Sequence, residues 1–486
     1  MQTSIRWTMR LAPVVAALLT PPVARAAVFI QCPAPLLTQN ATGGSCGAGP
    51  CYLDPKNPAA SSDPGCVDPE VVDPVTGKPT FFDTCKVRLD PVTGQPSGET
   101  TDPTIVCRSI TCGDGHVNMA DGSDMYVFGF RDVTNAPESL LAGAGFFLGE
   151  DGSLTGGAEF AAPTLVARVG QRLYLTLTNV GFRERPDLGD PHTVHFHGFP
   201  NAAPVFDGEP MSSFGLNMGA SLTYFYDNQY AGTYMWHCHV EAAEHMQMGM
   251  LGNLYILPAQ DGQAVTHGGQ TYTRFAYDDC PTLGTLPLGT PDPMCGTTGY
   301  DVMYFLQQAS FDPVFHYNDQ TYQKLDFANM RDTYAMLNGR GYPDTVNPGV
   351  MVNSAGAPSQ PLPAIPFTVD AQGVRAPLAI AQGQRLLLHL SSLATESFFT
   401  VTVLGIPMRI VGQGAQLLRG PTGINTSYVT GSVTLSGGEA VDVILDTTGV
   451  PPGTYFLYTT NLNHLSNDAE DFGGMMTEIV VASAAQ

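Results

Sequence analysis

GQRLYLTLTNV (170–180) returns as GQRLLLHLSSL (383–393). HTVHFHGFP (192–200) and GTYMWHCHV (232–240) then follow the first copy, as SFFTVTVLGIP (397–407) and GTYFLYTTNL (453–462) follow the second. The same three landmarks recur in the same order, 207 to 221 residues apart. A period of that length is an internal duplication of a whole domain. Each landmark is a short run that alternates apolar and polar residues and is rich in β-branched and aromatic side chains. Runs of that kind between Gly and Pro breaks read as strands of a β-sandwich. We therefore expect an all-β chain with one sandwich at 113–260 and a second at 261–486.

The two copies differ in their chemistry. His192, His195 and His197 align with Phe399, Thr402 and Leu404; His237, Cys238 and His239 align with Tyr458, Thr459 and Thr460. Gly-Thr-Tyr and Gly-Gln-Arg-Leu are shared and are scaffold. The histidines and the cysteine belong to the first copy alone and are the functional candidates.

Outside the duplication, the chain opens with two arginines, an apolar run (LAPVVAALL) and Ala24-Arg25-Ala26. That pattern reads as a secretory signal peptide over residues 1–26. It predicts a periplasmic or extracellular protein with no membrane span of its own. Residues 27–112 are rich in Pro, Gly, Asp and Cys and read as a disulfide-stapled, loop-rich extension. Seven of the ten cysteines lie there; Cys280 and Cys295 form a plausible pair, and Cys238 is the odd one out. If Cys238 is a ligand, nine remain, so at least one other thiol is unpaired. The net charge of −23 argues against nucleic acid and anionic lipid as partners, since both require basic surface.

Six of the eleven histidines fall within 54 residues, in HTVHFHG and HCHVEAAEHMQMGM. A type 1 copper site needs two imidazoles and a thiolate in a plane, with a weak thioether on the axis. His192, Cys238, His245 and Met250 supply that set. Met246 and Met248 compete for the axial place, and spacing favours Met250. The other methionines, Met211 and Met218 among them, are expected to pack.

At this point the residues resemble the multicopper oxidase family over roughly 113–486. The likeness is most specific at His-Cys-His followed by His and Met, and at His-x2-His-x-His-Gly. It implies two cupredoxin-like Greek-key β-sandwich domains and type 1 copper at His192, Cys238, His245 and Met250. It also implies that His195, His197, His237 and His239 face a type 2/type 3 copper site. A small-molecule or metal-ion donor would be oxidised at type 1 copper. Electrons would cross the Cys-His bonds, and dioxygen would be reduced to water. Strand alternation agrees: His195 and His197 share one face, and His237 and His239 share a face opposite to Cys238. FDGEP (206–210) looks like a family segment that shapes a turn near the copper, with Asp207 a candidate for proton delivery.

The family's trinuclear cluster uses four His-x-His pairs, and this chain has two. Either another subunit of a homo-oligomer completes the cluster, or the second site is reduced to one type 2 copper or lost. Copper nitrite reductases share the two-domain plan with type 1 copper in the first domain. Their second domain donates a histidine where this chain reads Gly405-Ile406-Pro407. A type 1 electron carrier and a nitrite-reductase-like enzyme are thus the alternatives to an oxidase. Of the other histidines, His389 reads as structural, and His316 and His464 as surface or hydrogen-bonding residues.

Overall fold

A computed structural model describes residues 104–134, 158–199, 202–280, 294–347, 351, 372, 376–420 and 423–484. The expected signal peptide and most of the expected N-terminal extension lie outside these residues. The first sandwich contains β1 (Ile105–Asn118), β2 (Asp124–Asp132), β3 (Leu165–Arg168), β4 (Arg172–Gly181), β5 (His195–His197), β6 (Ser221–Asp227), β7 (Gly232–His237) and β8 (Leu251–Leu257). They form two sheets, β2-β1-β4-β6 and β3-β8-β7-β5. A short helix, α1 (Ala242–Gln247), sits between β7 and β8. Two small ladders follow: β9 (Val265–His267) with β10 (Gln270–Tyr272), and β11 (Arg274–Phe275) with β12 (Gly299–Tyr300).

The second sandwich begins with β13 (Val302–Phe311), α2 (Pro313–Gln320), β14 (Tyr334–Leu337), β15 (Leu378–Ala381) and β16 (Arg385–Ser392). It continues with β17 (Phe399–Val403), β18 (Met408–Gln413), β19 (Gln416–Leu417), β20 (Tyr428–Thr430) and β21 (Ser432–Leu435). It ends with β22 (Glu439–Asp446), β23 (Gly453–Thr459) and β24 (Met476–Ala482). Its sheets run β14-β13-β16-β22-β18-β19, with β20 on β18, and β15-β24-β23-β17-β21.

The duplication is visible in the pairing. β1 runs parallel to β4 and β13 parallel to β16; β3 runs parallel to β8 and β15 parallel to β24. His195 pairs with His237 across β5 and β7, and Thr402 pairs with Tyr458 across β17 and β23. The structural register thus matches the residue alignment read from sequence.

The first strand differs from expectation. Ile105–Cys112, assigned to the extension, is the fully buried first half of β1 and pairs with β4. The cysteines there suggested a loop, but IVCRSITC holds four β-branched residues, as suits a central strand. Cys280 and Cys295 are disulfide-bonded, as expected. Cys112 and Cys238 are free and buried, so Cys112 is an unpaired thiol besides Cys238.

Each sandwich has its own core. In the first, Leu173, Leu175 and Leu177 of β4 meet Trp236 and Tyr224; in the second, Leu386, Leu388 and Leu390 of β16 meet Val401 and Leu457. Burying a side chain of the Leu or Phe class is worth roughly 1.5–3 kcal/mol. The domains are also packed on each other: β7 lies against β16 and β22 and is buried on both faces. At that contact Asp442 accepts from the Thr233 hydroxyl at 2.5 Å, stands 2.6 Å from His389 Nδ1, and accepts from Tyr277. A buried carboxylate persists only with such partners. Among the described residues, no helix is long and apolar enough to cross a membrane.

Candidate metal centre

Two donor sets lie on opposite sides of β7. The first is inside the first sandwich. His192 is held by a bridge to Leu216, Cys238 directly follows β7, and His245 lies on α1. All three are buried, and their donor atoms lie within 4.8 Å of one another. Cys238 Sγ is 3.2 Å from His245 Nδ1 and 3.7 Å from His192 Nδ1. The Thr193 amide donates to the same sulfur at 3.5 Å. Spacings of that size suit one ion bonded to every donor at roughly 2 Å.

Met250 is buried and tied to both ligands through its backbone. Its amide donates to the His245 carbonyl at 2.8 Å, and its carbonyl accepts from the Cys238 amide at 3.2 Å. Met248 shares the same core, while Met246 packs against a different cluster.

The charge environment of the two imidazoles is opposed. Burial, followed by the neighbouring His245, holds His192 well below its ordinary value. Burial also works against charge on His245, but the Cys238 thiol and Asp190 outweigh it and raise that ring to about 10. His245 is fully buried, with Asp190 Oδ2 3.8 Å from its Nε2.

The second set faces away from that core. β5 places Phe196 inward and His195 and His197 outward, and His237 pairs across from His195. The donor atoms of His195, His197 and His237 lie within 4.8 Å of one another. His239 stands beside them, its ring 4.7 Å from that of His195. It lies past the end of β7, yet its ring stacks with His237 at 24°, so both share the side expected of them.

The three rings of this set are oriented alike. His195 Nδ1 is 2.7 Å from the Asp207 carbonyl, His197 Nδ1 is 3.3 Å from the Gly438 carbonyl, and His237 Nδ1 is 2.8 Å from the Cys238 carbonyl. A carbonyl only accepts, so each Nδ1 carries the hydrogen and each Nε2 keeps its lone pair. His197 and His237 bring those Nε2 atoms to 3.0 Å. Burial lowers both rings, His237 to about 3, so they are neutral and able to ligate at pH 7. A cavity of about 490 Å³ opens here, between His195, His197 and Met235 of the first sandwich and Gly414, Gly438 and Ala440 of the second.

Two family models, both described as multicopper oxidase, match residues 151–261 and 313–483, together more than half the chain. The chain belongs to the multicopper oxidase family. A blue copper oxidase from Nitrosomonas europaea is 18% identical, with 77% of this chain and 85% of that one covered and a TM-score of 0.51. The multicopper oxidase mgLAC gives the same identity, coverage and TM-score. A copper nitrite reductase from Nitrosomonas europaea is 13% identical over 77% of this chain and 93% of that one, with a TM-score of 0.44. No curated protein sequence matches the chain significantly.

A multicopper oxidase is a copper-dependent oxidoreductase, and the buried imidazole–thiolate set suits copper by the softness of its donors. The remaining histidines are engaged elsewhere. His116 lies between Asp124 and Glu184, and His267 Nδ1 is 3.1 Å from the Cys295 carbonyl. His389 meets Asp442, and the His464 ring stands edge-on to Phe399. Of the two readings open for His316, surface or hydrogen-bonding, the structure shows the second: it is buried in α2, between the Tyr126 and Gln247 carbonyls. The helix that carries it is capped by Asp312, whose carboxylate accepts from the Val314 and Phe315 amides. Met211 and Met218, expected to pack, are 91% and 57% exposed, because the loop that carries them lies outside the sheets. FDGEP does shape a turn: Gly208 has φ 75°, and a Cβ there would run into the Val194 carbonyl. Sequence reasoning missed Gly438, which lies far along the chain from the histidine it meets. It also missed Asp190, whose place two residues before His192 was the available clue.

Proposed function

We propose that this chain is a secreted copper oxidase with two metal sites. His192, Cys238, His245 and Met250 hold type 1 copper. His195, His197 and His237, with His239 beside them, hold copper at the family's type 2/type 3 position. Copper at these sites supplies one-electron redox chemistry, from a small-molecule or metal-ion donor to dioxygen. The residues do the rest. Cys238 carries the thiolate of one set, and its chain neighbours His237 and His239 belong to the other. That covalent adjacency is the observation on which the reading rests, since it links the sites through a few bonds. The apolar shell of Phe128, Phe182 and Trp236 excludes water from the thiolate, and the three carbonyls fix the ring tautomers of the second set. The cavity beside His195 and His197 has room for dioxygen. Secretion is supported by the Cys280–Cys295 disulfide, which suits an oxidising compartment.

The test is to load the protein with copper and record its visible spectrum and its dioxygen uptake with a reducing donor. An intense thiolate charge-transfer band and donor-dependent uptake are expected. A band that bleaches reversibly without uptake would make the protein an electron carrier. Reoxidation by nitrite but not by dioxygen would make it a reductase.

A further inference from the structure

All eleven histidines of the chain lie among the described residues. Three form the second donor set, with His195 and His197 lining the cavity, His239 flanks them, and His192 and His245 belong to the buried thiolate set. The other five are bound into other parts of the fold. Across the cavity the second sandwich presents Gly414, Gly438 and Ala440, none of which can ligate through a side chain. Gly438 also occupies the approach itself. Its carbonyl holds His197, and a Cβ on it would come within 2.9 Å of His197 Cε1. The side of the cavity that faces the first set is therefore formed by the chain's own second domain, which offers no imidazole there. A cluster of three coppers does not fit these residues, whereas one ion does: His195, His197 and His237 each offer a ring nitrogen within 4.8 Å of the others.

We infer that the second site is mononuclear, and that the oxidase reduces dioxygen to hydrogen peroxide rather than to water. The inference rests on reading His195, His197 and His237 as the second copper site. The electron count follows from the number of ions. Two copper sites store one electron each, taken from two one-electron donors. Dioxygen accepts these two electrons and two protons from water, and the O–O bond stays intact in the product. Cleaving that bond requires two more electrons, which a coupled copper pair would store and this site does not. His195 and His197, which line the cavity, are only partly buried, so protons enter and peroxide leaves by that side.

The experiment is run on copper-loaded full-length protein. Total copper per chain, spins counted by electron paramagnetic resonance, and peroxide formed per dioxygen consumed are measured on one preparation. Two coppers per chain, both detected as spins, one with narrow and one with wide hyperfine splitting, are expected, with about one peroxide per dioxygen. Copper in excess of the detected spins reveals a coupled pair and overturns the inference while leaving the copper oxidase reading intact. A single type 1 signal that accounts for all the copper overturns both the mononuclear site and the oxidase. His197→Ala serves as the control on assignment: the wide-hyperfine signal disappears and the narrow one stays. If the wide signal survives that change, the ion is bound elsewhere and the inference fails.

Discussion

His197 and His237 face each other by Nε2 at 3.0 Å, with each Nδ1 bound to a backbone carbonyl. Two lone pairs at that distance repel unless a proton or a cation lies between them. Burial disfavours the proton, so the arrangement favours a metal. His239 flanks the set from the other end of Cys238. The His239→Ala variant is expected to keep the blue colour and lose dioxygen uptake, as read by visible absorption and an oxygen electrode.

Cys238→Ser is expected to abolish the blue colour, because a hydroxyl does not supply the thiolate charge transfer. Serine is also a poor copper ligand. Copper analysis and visible spectra check this. A variant that remains blue would show that the thiolate lies elsewhere, with Cys112 the other free thiol among the described residues.

Gly438→Ala tests the carbonyl that reaches across from the second domain. Gly438 has φ 90°, and the new Cβ would displace the His197 ring. Removing a group that orients a ligand typically costs 10–100-fold in metal affinity. Copper titration should show about that loss at the second site, with the type 1 spectrum unchanged.

His116 yields a pH prediction that does not depend on metal. Burial opposes its charge, but Asp124 and Glu184 outweigh burial and raise the ring to about 9. A folded value above the unfolded value of about 6.5 gives stability that is complete below pH 6.5. That stability is lost as pH rises through about 9. The partners are partly exposed, so we expect a decline of about 1 kcal/mol between those limits. Urea unfolding across pH 6 to 9.5 should show it, and His116→Gln should flatten the slope.

The duplication made most of this fold legible. Shared Gly-Thr-Tyr and Gly-Gln-Arg-Leu marked equivalent strands, and the pairing of Thr402 with Tyr458 beside His195 with His237 follows that alignment. The donor sets were legible because ligand spacing on a strand and its following loop is a local property. What sequence hid was tertiary. Gly438 meets His197 across 241 residues, so no spacing reports it. β1 was masked by its cysteines, and α2 by a polar composition that its buried His316 contradicts. Asp190 approaches His245 only because α1 folds back over the site.

β7 has a consequence that concerns assembly more than electron flow. The strand that ends in His237, with Cys238 directly after it, is the one clamped between the two sandwiches, with Thr233 anchored to Asp442. Copper loading and domain docking therefore meet at the same strand and are thermodynamically linked. Any factor by which docking tightens copper must be returned by copper to docking. The copper-free protein should undock its two sandwiches at a lower temperature than the loaded protein, and the metal would then serve as a rivet between domains as well as a redox centre.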